Sequence, residues 1–123
     1  MKRIWIGIGF LVGLLVVGLV VMQVTDRQMS RISEKLQQAA QISNFEEAVA
    51  LSQAAQSHWE ENSHFMAALC DHTDIDNIEE LFAQLNVYQL YNEQTDHAVL
   101  CAQLAKALLD LTENHRLTWW NLL

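Results

Sequence analysis

The sequence predicts an all-α protein: an N-terminal transmembrane helix that continues into a stalk and carries a small antiparallel helical bundle. Three observations support this expectation. Ile4 to Met22 is an unbroken run of apolar residues and glycine. Every periodic stretch beyond it repeats at three and four residues, and none alternates with period two. The chain has no proline, and its glycines, Gly7, Gly9, Gly13 and Gly18, all fall in the first 18 residues. The rest of the chain therefore lacks the glycine that tight hairpins, phosphate loops and strained nucleophile turns require.

The apolar run of 19 residues spans roughly 28 Å as a helix, close to the roughly 30 Å hydrocarbon core of a bilayer. Its exit, Val20-Val21-Met22-Gln23-Val24, is bulky throughout and holds none of the small residues of a signal-peptide cleavage site. Residues 4–22 are thus expected as an uncleaved signal-anchor. No lipobox is present, because the two cysteines, Cys70 and Cys101, are far from the N-terminus. Lys2 and Arg3 precede the anchor, and Arg27, Arg31 and Lys35 follow it. Residues 1–3 are expected as a cytoplasmic tail, which leaves the helical domain outside the cell membrane in a single-pass topology. Gly9 and Gly13 form Gly-x-x-x-Gly, a spacing that lets two membrane helices pair, although ordinary glycine usage in such helices gives the same pattern.

Residues 23–43 are expected as an amphipathic stalk, from the recurrence of Met29, Ile32, Leu36 and Ala39/Ala40. Residues 44–123 then form an acidic helical-bundle domain. Ser43 with Glu46, or Asn44 with Glu47, offers a capping box for the next helix, whose face is Phe45, Ala48, Val49, Ser52, Ala55, Trp59, Phe65/Met66 and Leu69. That helix stops near Cys70-Asp71-His72, where His72 is expected to cap its carbonyl end. Thr73 or Asp74 can cap a third helix with the face Ile75, Ile78, Leu81/Phe82, Leu85 and Tyr88. Asn92-Glu93-Gln94-Thr95 is a polar break, with Thr95 the candidate cap of a last helix built on Cys101, Leu104, Leu108 and Leu111. Short links and comparable lengths fit an antiparallel bundle.

Together, the single-pass anchor, Trp59, the stretch His72-Thr73-Asp74-Ile75-Asp76-Asn77-Ile78, the leucine-rich last helix and the closing Asn121-Leu122-Leu123 resemble the domain-of-unknown-function family 4363. Its members are small membrane proteins of Gram-positive bacteria with no established activity. The resemblance implies that Trp59, His72 and Asn121 are family positions without an assigned role. The Trp119-Trp120 pair departs from the pattern.

Charge narrows the function classes. The chain carries 7 Lys+Arg against 15 Asp+Glu, and residues 36–105 hold eleven acids with no Lys or Arg. Such a stretch repels phosphate backbones, so nucleic acid is not an expected partner. Glu61 and His64 have the Glu-x-x-His spacing of di-iron bundles, but a second copy of the motif is missing. His58 and His64 are six apart, which places them on different helix faces. Asp71 to Asp76 resembles a calcium loop only superficially, since the central glycine and the closing glutamate are absent. No metal, cofactor or catalytic residue is expected. Cys70 and Cys101 are read as two free or buried thiols, with a bridge open only if their helices are neighbours. Trp119 and Trp120 either close the core or meet lipid headgroups or a partner.

The expected role is that of a membrane-anchored, non-enzymatic interaction protein, an accessory or scaffold subunit of a membrane or envelope complex. Its expected partners are the lipid bilayer and a membrane protein or a second copy of itself. The alternative is an extracytoplasmic ligand- or ion-sensing domain acting through a partner.

Overall fold

The computed structural model describes the backbone of residues 2–122 and the side chains of residues 2–113 except Leu69. Among the described residues there are four helices: α1 (Lys2–Gln41), α2 (Phe45–Leu69), α3 (His72–Leu90) and α4 (Gln94–Leu122). No strand occurs among the described residues. The all-α expectation holds, as does the long apolar N-terminal helix, which alone among the described residues has the length and hydropathy to cross a membrane.

α1 runs for 40 residues without interruption. Neither glycine nor proline occurs between residues 19 and 41, so nothing in the sequence kinks it. Its two halves meet different surroundings. From Ile4 to Leu15 the large apolar side chains are exposed, Trp5 at 73% and Phe10 at 69%. From Met22 onward one stripe, Thr25, Met29, Ile32, Ser33, Leu36 and Ala39, is buried. Residues 23–41, all but the last two residues of the expected stalk 23–43, are thus continuous with the apolar segment and also form the first helix of the bundle.

The short links after α1 and α2 turn the chain back each time. α1 packs along both α4 and α2, α3 leans on α4, and α2 touches α3 only lightly. Ser33 Oγ–H donates to the Ala105 carbonyl at 3.0 Å in the core, which pins the antiparallel register of α1 and α4. The remaining core is Ala48, Ala55, Trp59 and Met66 of α2, Ile75, Ile78, Phe82 and Leu85 of α3, and Leu100, Cys101, Leu104, Leu108 and Leu111 of α4. These are the faces the periodicity marks. Within the alternative Phe65/Met66, Met66 is buried and Phe65 is 46% exposed.

One expected cap holds, and the caps of α3 and α4 differ from expectation. Of the two candidate boxes, Asn44 is the N-cap of α2, accepting from the Glu46 and Glu47 N–H groups. Asp71, rather than Thr73 or Asp74, caps α3 by accepting from the Thr73 N–H at 3.1 Å. The chain leaves α2 at Cys70, so Asp71 is already in extended geometry and presents its carboxylate to the first turn. α4 begins at Gln94, one residue before the expected cap Thr95. The turn ahead of it places Asn92 in left-handed backbone with φ 54°. The Glu93 N–H reaches back to the Tyr88 carbonyl at 3.0 Å, the longer bond of a Schellman motif. Asparagine takes the place usually held by glycine, a residue this part of the chain does not contain.

Candidate functional site

The residues singled out by sequence do not converge. Trp59 is a core residue, 2% exposed and stacked on Phe82 with ring centroids 6.4 Å apart. Its indole Nε1–H is buried without a hydrogen-bond partner among the described residues. His72 is exposed and is the first residue of α3. It therefore stands at the start of a helix rather than capping the carbonyl end of α2. Gly9 and Gly13 lie on the exposed part of α1, with open space where a Cβ would stand. The side chains of Trp119, Trp120 and Asn121 lie outside the described residues.

The metal candidates are also dispersed: no group of three or more His, Cys, Asp or Glu side chains gathers among the described residues. His64 is exposed, and His58 is tied to α1. Lys35 Nζ donates to His58 Nδ1 at 3.4 Å, and His58 Nε2–H donates to Gln28 Oε1. Burial, then the Lys35 charge, lowers the affinity of His58 for a proton. Cys70 and Cys101 are free thiols. Burial, with the Asp74 charge adding to it, raises Cys70 to about 11. Burial raises Cys101 to about 12. Neither is a thiolate near neutrality, so neither is a prepared nucleophile.

One polar constellation emerges only from the structure. His97 of α4 is 0% exposed, and so is Ser52 of α2. The Ser52 hydroxyl lies 2.9 Å from the Val49 carbonyl, 2.8 Å from Gln89 Nε2 of α3 and 3.0 Å from His97 Nε2. A hydroxyl has one proton and two lone pairs, and only one assignment satisfies all three contacts. Ser52 donates to the Val49 carbonyl and accepts from both Gln89 Nε2–H and His97 Nε2–H. The His97 Nδ1 lone pair then faces the Cys101 thiol at 3.8 Å. Phe45 closes the site edge-on, its ring centroid 5.3 Å from that of His97. The imidazole is neutral in this arrangement, in keeping with the lowering of its basicity by burial.

A Ser–His pair invites comparison with a nucleophile and its base, but the proton points the wrong way. The hydroxyl hydrogen is committed to a backbone carbonyl, and among the described residues no carboxylate orients the ring. What the constellation does is join α2, α3 and α4 at one level. Sequence reading places Ser52 and Cys101 on the correct faces but passes over His97. The available signal is its position four residues before Cys101, one turn up the cleanest apolar stripe of the chain.

Above this tie lies a cleft of about 340 Å³ at the end of the bundle farthest from the apolar segment. Ala39, Ile42, Phe45, Ala48, His97 and Ala98 line it. Gln94 Nε2–H donates to the Ser43 carbonyl at 2.9 Å, closing one side. Shallower grooves follow α2/α3, with Trp59 and Phe82 flanked by Glu60 and Glu79, and α3/α4.

Fold and site together define a class: a four-helix bundle with a buried polar tie, carried on a helix of membrane-spanning length. The family model described as Domain of unknown function (DUF4363) matches residues 17–122, and the chain belongs to that family. The match takes in the whole bundle and the last turns of the apolar run. No curated protein and no solved structure matches the chain.

Proposed function

We propose that this protein is a membrane-anchored, non-enzymatic interaction module, an accessory or scaffold subunit of a membrane or envelope complex, with its bundle outside the cell membrane. The observation that carries this reading is α1 itself. One helix supplies both an exposed apolar segment of bilayer length and the central stripe of the bundle core. The bundle is therefore held at a fixed height and tilt relative to the membrane, a geometry suited to presenting a surface to a membrane-spanning neighbour.

The test is extraction of the full-length chain from its native membrane in mild detergent, with co-purifying proteins identified against a control carrying only residues 1–23. A membrane-spanning protein recovered in stoichiometric amount with the whole chain and not with the control is the expected result. Recovery of the chain alone, at native expression level, would sink it. A C-terminal alkaline phosphatase fusion tests the orientation, and an inactive fusion beside an active cytoplasmic reporter would reverse it.

The tip cleft favours a second reading, a ligand-sensing domain acting through a partner. Its lining mixes apolar side chains with Gln41, Ser43, Gln94, Thr95 and one buried imidazole, the composition of a site for a small molecule with both apolar and hydrogen-bonding groups. A rise in the melting temperature of the full-length protein with such a ligand, lost on filling the cleft by Ala48→Phe, would select this reading.

A further inference from the structure

Three independent registers place the end of α4 below the rest of the bundle. The Ser33–Ala105 bond fixes α4 against α1. Seventeen residues along both helices from that bond bring Leu122 opposite Val16. The Ser52–His97 contact fixes α4 against α2. Seventeen residues from that contact reach the last residue of α2, Leu69, and bring Asn114 to the same level on α4. On α3, Asp74 and Ile78 share a groove with Ala107 and Leu111, so the start of α3 lies near residue 113 of α4. Beyond Asn114, then, α2 and α3 have ended and only α1 accompanies α4. The overhang is eight residues, about 12 Å of helix.

That overhang runs beside the outer part of the Ile4–Met22 apolar run. Burial within α1 agrees with this. Gly18 and Met22 are buried, whereas Gly7, Gly9 and Gly13 have nothing near the position of a Cβ. The sequence of the overhang suits the same level. Arg116 comes opposite Met22, at the edge of the apolar run, and residues 117–123, Leu-Thr-Trp-Trp-Asn-Leu-Leu, carry no charged side chain. A basic residue at the headgroups followed inward by tryptophan is the order found at membrane interfaces.

We propose that the last two turns of α4 are a second membrane contact, seated in lipid beside α1 in the leaflet nearest the bundle. The inference rests on reading α1 as a membrane span. The eight residues reach about 12 Å, against the roughly 20 residues that a crossing takes, so the contact is a wedge in the interfacial zone. Depths of about 5–10 Å are usual for helices bound in this way. The bundle is then held at two points, and its rotation about the α1 axis is restrained as well as its height.

The test is site-directed spin labelling of the full-length protein in nanodiscs of phosphatidylcholine and phosphatidylglycerol. Cys70→Ser removes the half-buried thiol, and Cys101, fully buried, takes up no label. Single labels are placed at Val12→Cys in the span, Thr118→Cys in the overhang and Glu47→Cys at the tip. Helicity is checked for each variant. Collision with oxygen, which partitions into lipid, is compared with collision with a water-soluble nickel chelate. The expected oxygen-to-nickel ratio is highest at Val12, severalfold above the tip at Thr118, and lowest at Glu47. A ratio at Thr118 equal to that at Glu47, with Val12 still lipid-like, overturns the wedge and leaves the anchor standing. A Thr118 label reached by neither probe is covered by protein, and that also overturns it. A water-like Val12 overturns both readings.

Discussion

Ser52→Ala tests the buried tie most directly. The substitution leaves the Val49 carbonyl inside its helix but strips the acceptor from two donors, Gln89 Nε2–H and His97 Nε2–H. Gln89 is only partly buried and turns to water. His97 is 0% exposed and has no other strong acceptor, since a tautomer shift only directs its proton at the Cys101 sulfur. One fully buried unsatisfied donor costs about 1–3 kcal/mol, so a loss of about 2 kcal/mol is expected. For a bundle of this size that is roughly 10 °C in melting temperature. His97→Leu removes the donor instead and leaves the Ser52 hydroxyl still bonded to Val49 and Gln89. In the His97→Leu background, where that donor is absent, Ser52→Ala should therefore cost about 2 kcal/mol less than it does alone. The assay is urea unfolding of the full chain in detergent, followed by circular dichroism, at pH 7.5 and 5.5. Burial holds the folded-state pKa of His97 below the unfolded value of 6.5. Its contribution is fully present above pH 6.5 and is lost as pH falls from there toward the folded pKa, because only the unfolded chain binds the proton. The slope approaches about 1.4 kcal/mol per pH unit for each such group, and His58 adds in the same direction. His97→Leu should remove its own share of that slope. Equal costs of Ser52→Ala in both backgrounds, or a pH slope untouched by His97→Leu, would refute the hydrogen-bond assignment.

Three further outcomes are expected from the geometry. Asp71→Ala removes the side-chain cap of α3 and should lower stability by about 1 kcal/mol, whereas Thr73→Ala should leave urea midpoints unchanged. With thiols raised to about 11 and about 12, alkylation of the folded protein at pH 8 should be slow at half-buried Cys70 and slower still at Cys101. Both should react rapidly in urea, and fast native labelling of Cys101 would contradict its burial. Trp59→Phe gives up no hydrogen bond, because the indole N–H has no partner among the described residues. It should cost well below the roughly 3–5 kcal/mol expected for Trp59→Ala, and equal losses in thermal unfolding would point to a bonded indole.

Helix faces were legible because burial on a helix repeats at three and four residues, and this chain keeps that spacing with few exceptions. Met29, Ile32 and Leu36 show the continuation of α1, and Ile75, Ile78, Phe82 and Leu85 show the inner face of α3. The caps were less legible. Asp71, Thr73 and Asp74 are equally good capping residues by chemistry, and the choice is made by where α2 stops, which depends on packing at Met66 and Cys70. The displacement of His72 from one helix end to the start of the next has the same origin in that boundary. The buried tie was hidden for a different reason. Its three members come from Ser52, Gln89 and His97, each unremarkable in its own helix, and only the antiparallel assembly brings them within 3.0 Å.

The stripe of α1 also explains why the polar tie sits where it does. The lower bundle is held by large side chains, Met29 and Ile32 of α1 with Trp59, Phe82 and Leu108. Toward the tip the stripe thins to Ala39, and its neighbours on α2 and α4 are Ala48 and Ala98. Small side chains bury little apolar area, so contact there contributes less per residue. The hydrogen bonds of Ser52, Gln89 and His97 are placed in that weakly packed third, where they fix helix positions that apolar contact alone leaves loose. The same thinning opens the cleft above His97. The end of the bundle farthest from the apolar segment is thus the part most easily altered by pH or by an occupant of the cleft. The end nearest that segment is fixed by the large core and by α1. A change made at the tip reaches the apolar segment only through rigid helices, α1 first among them.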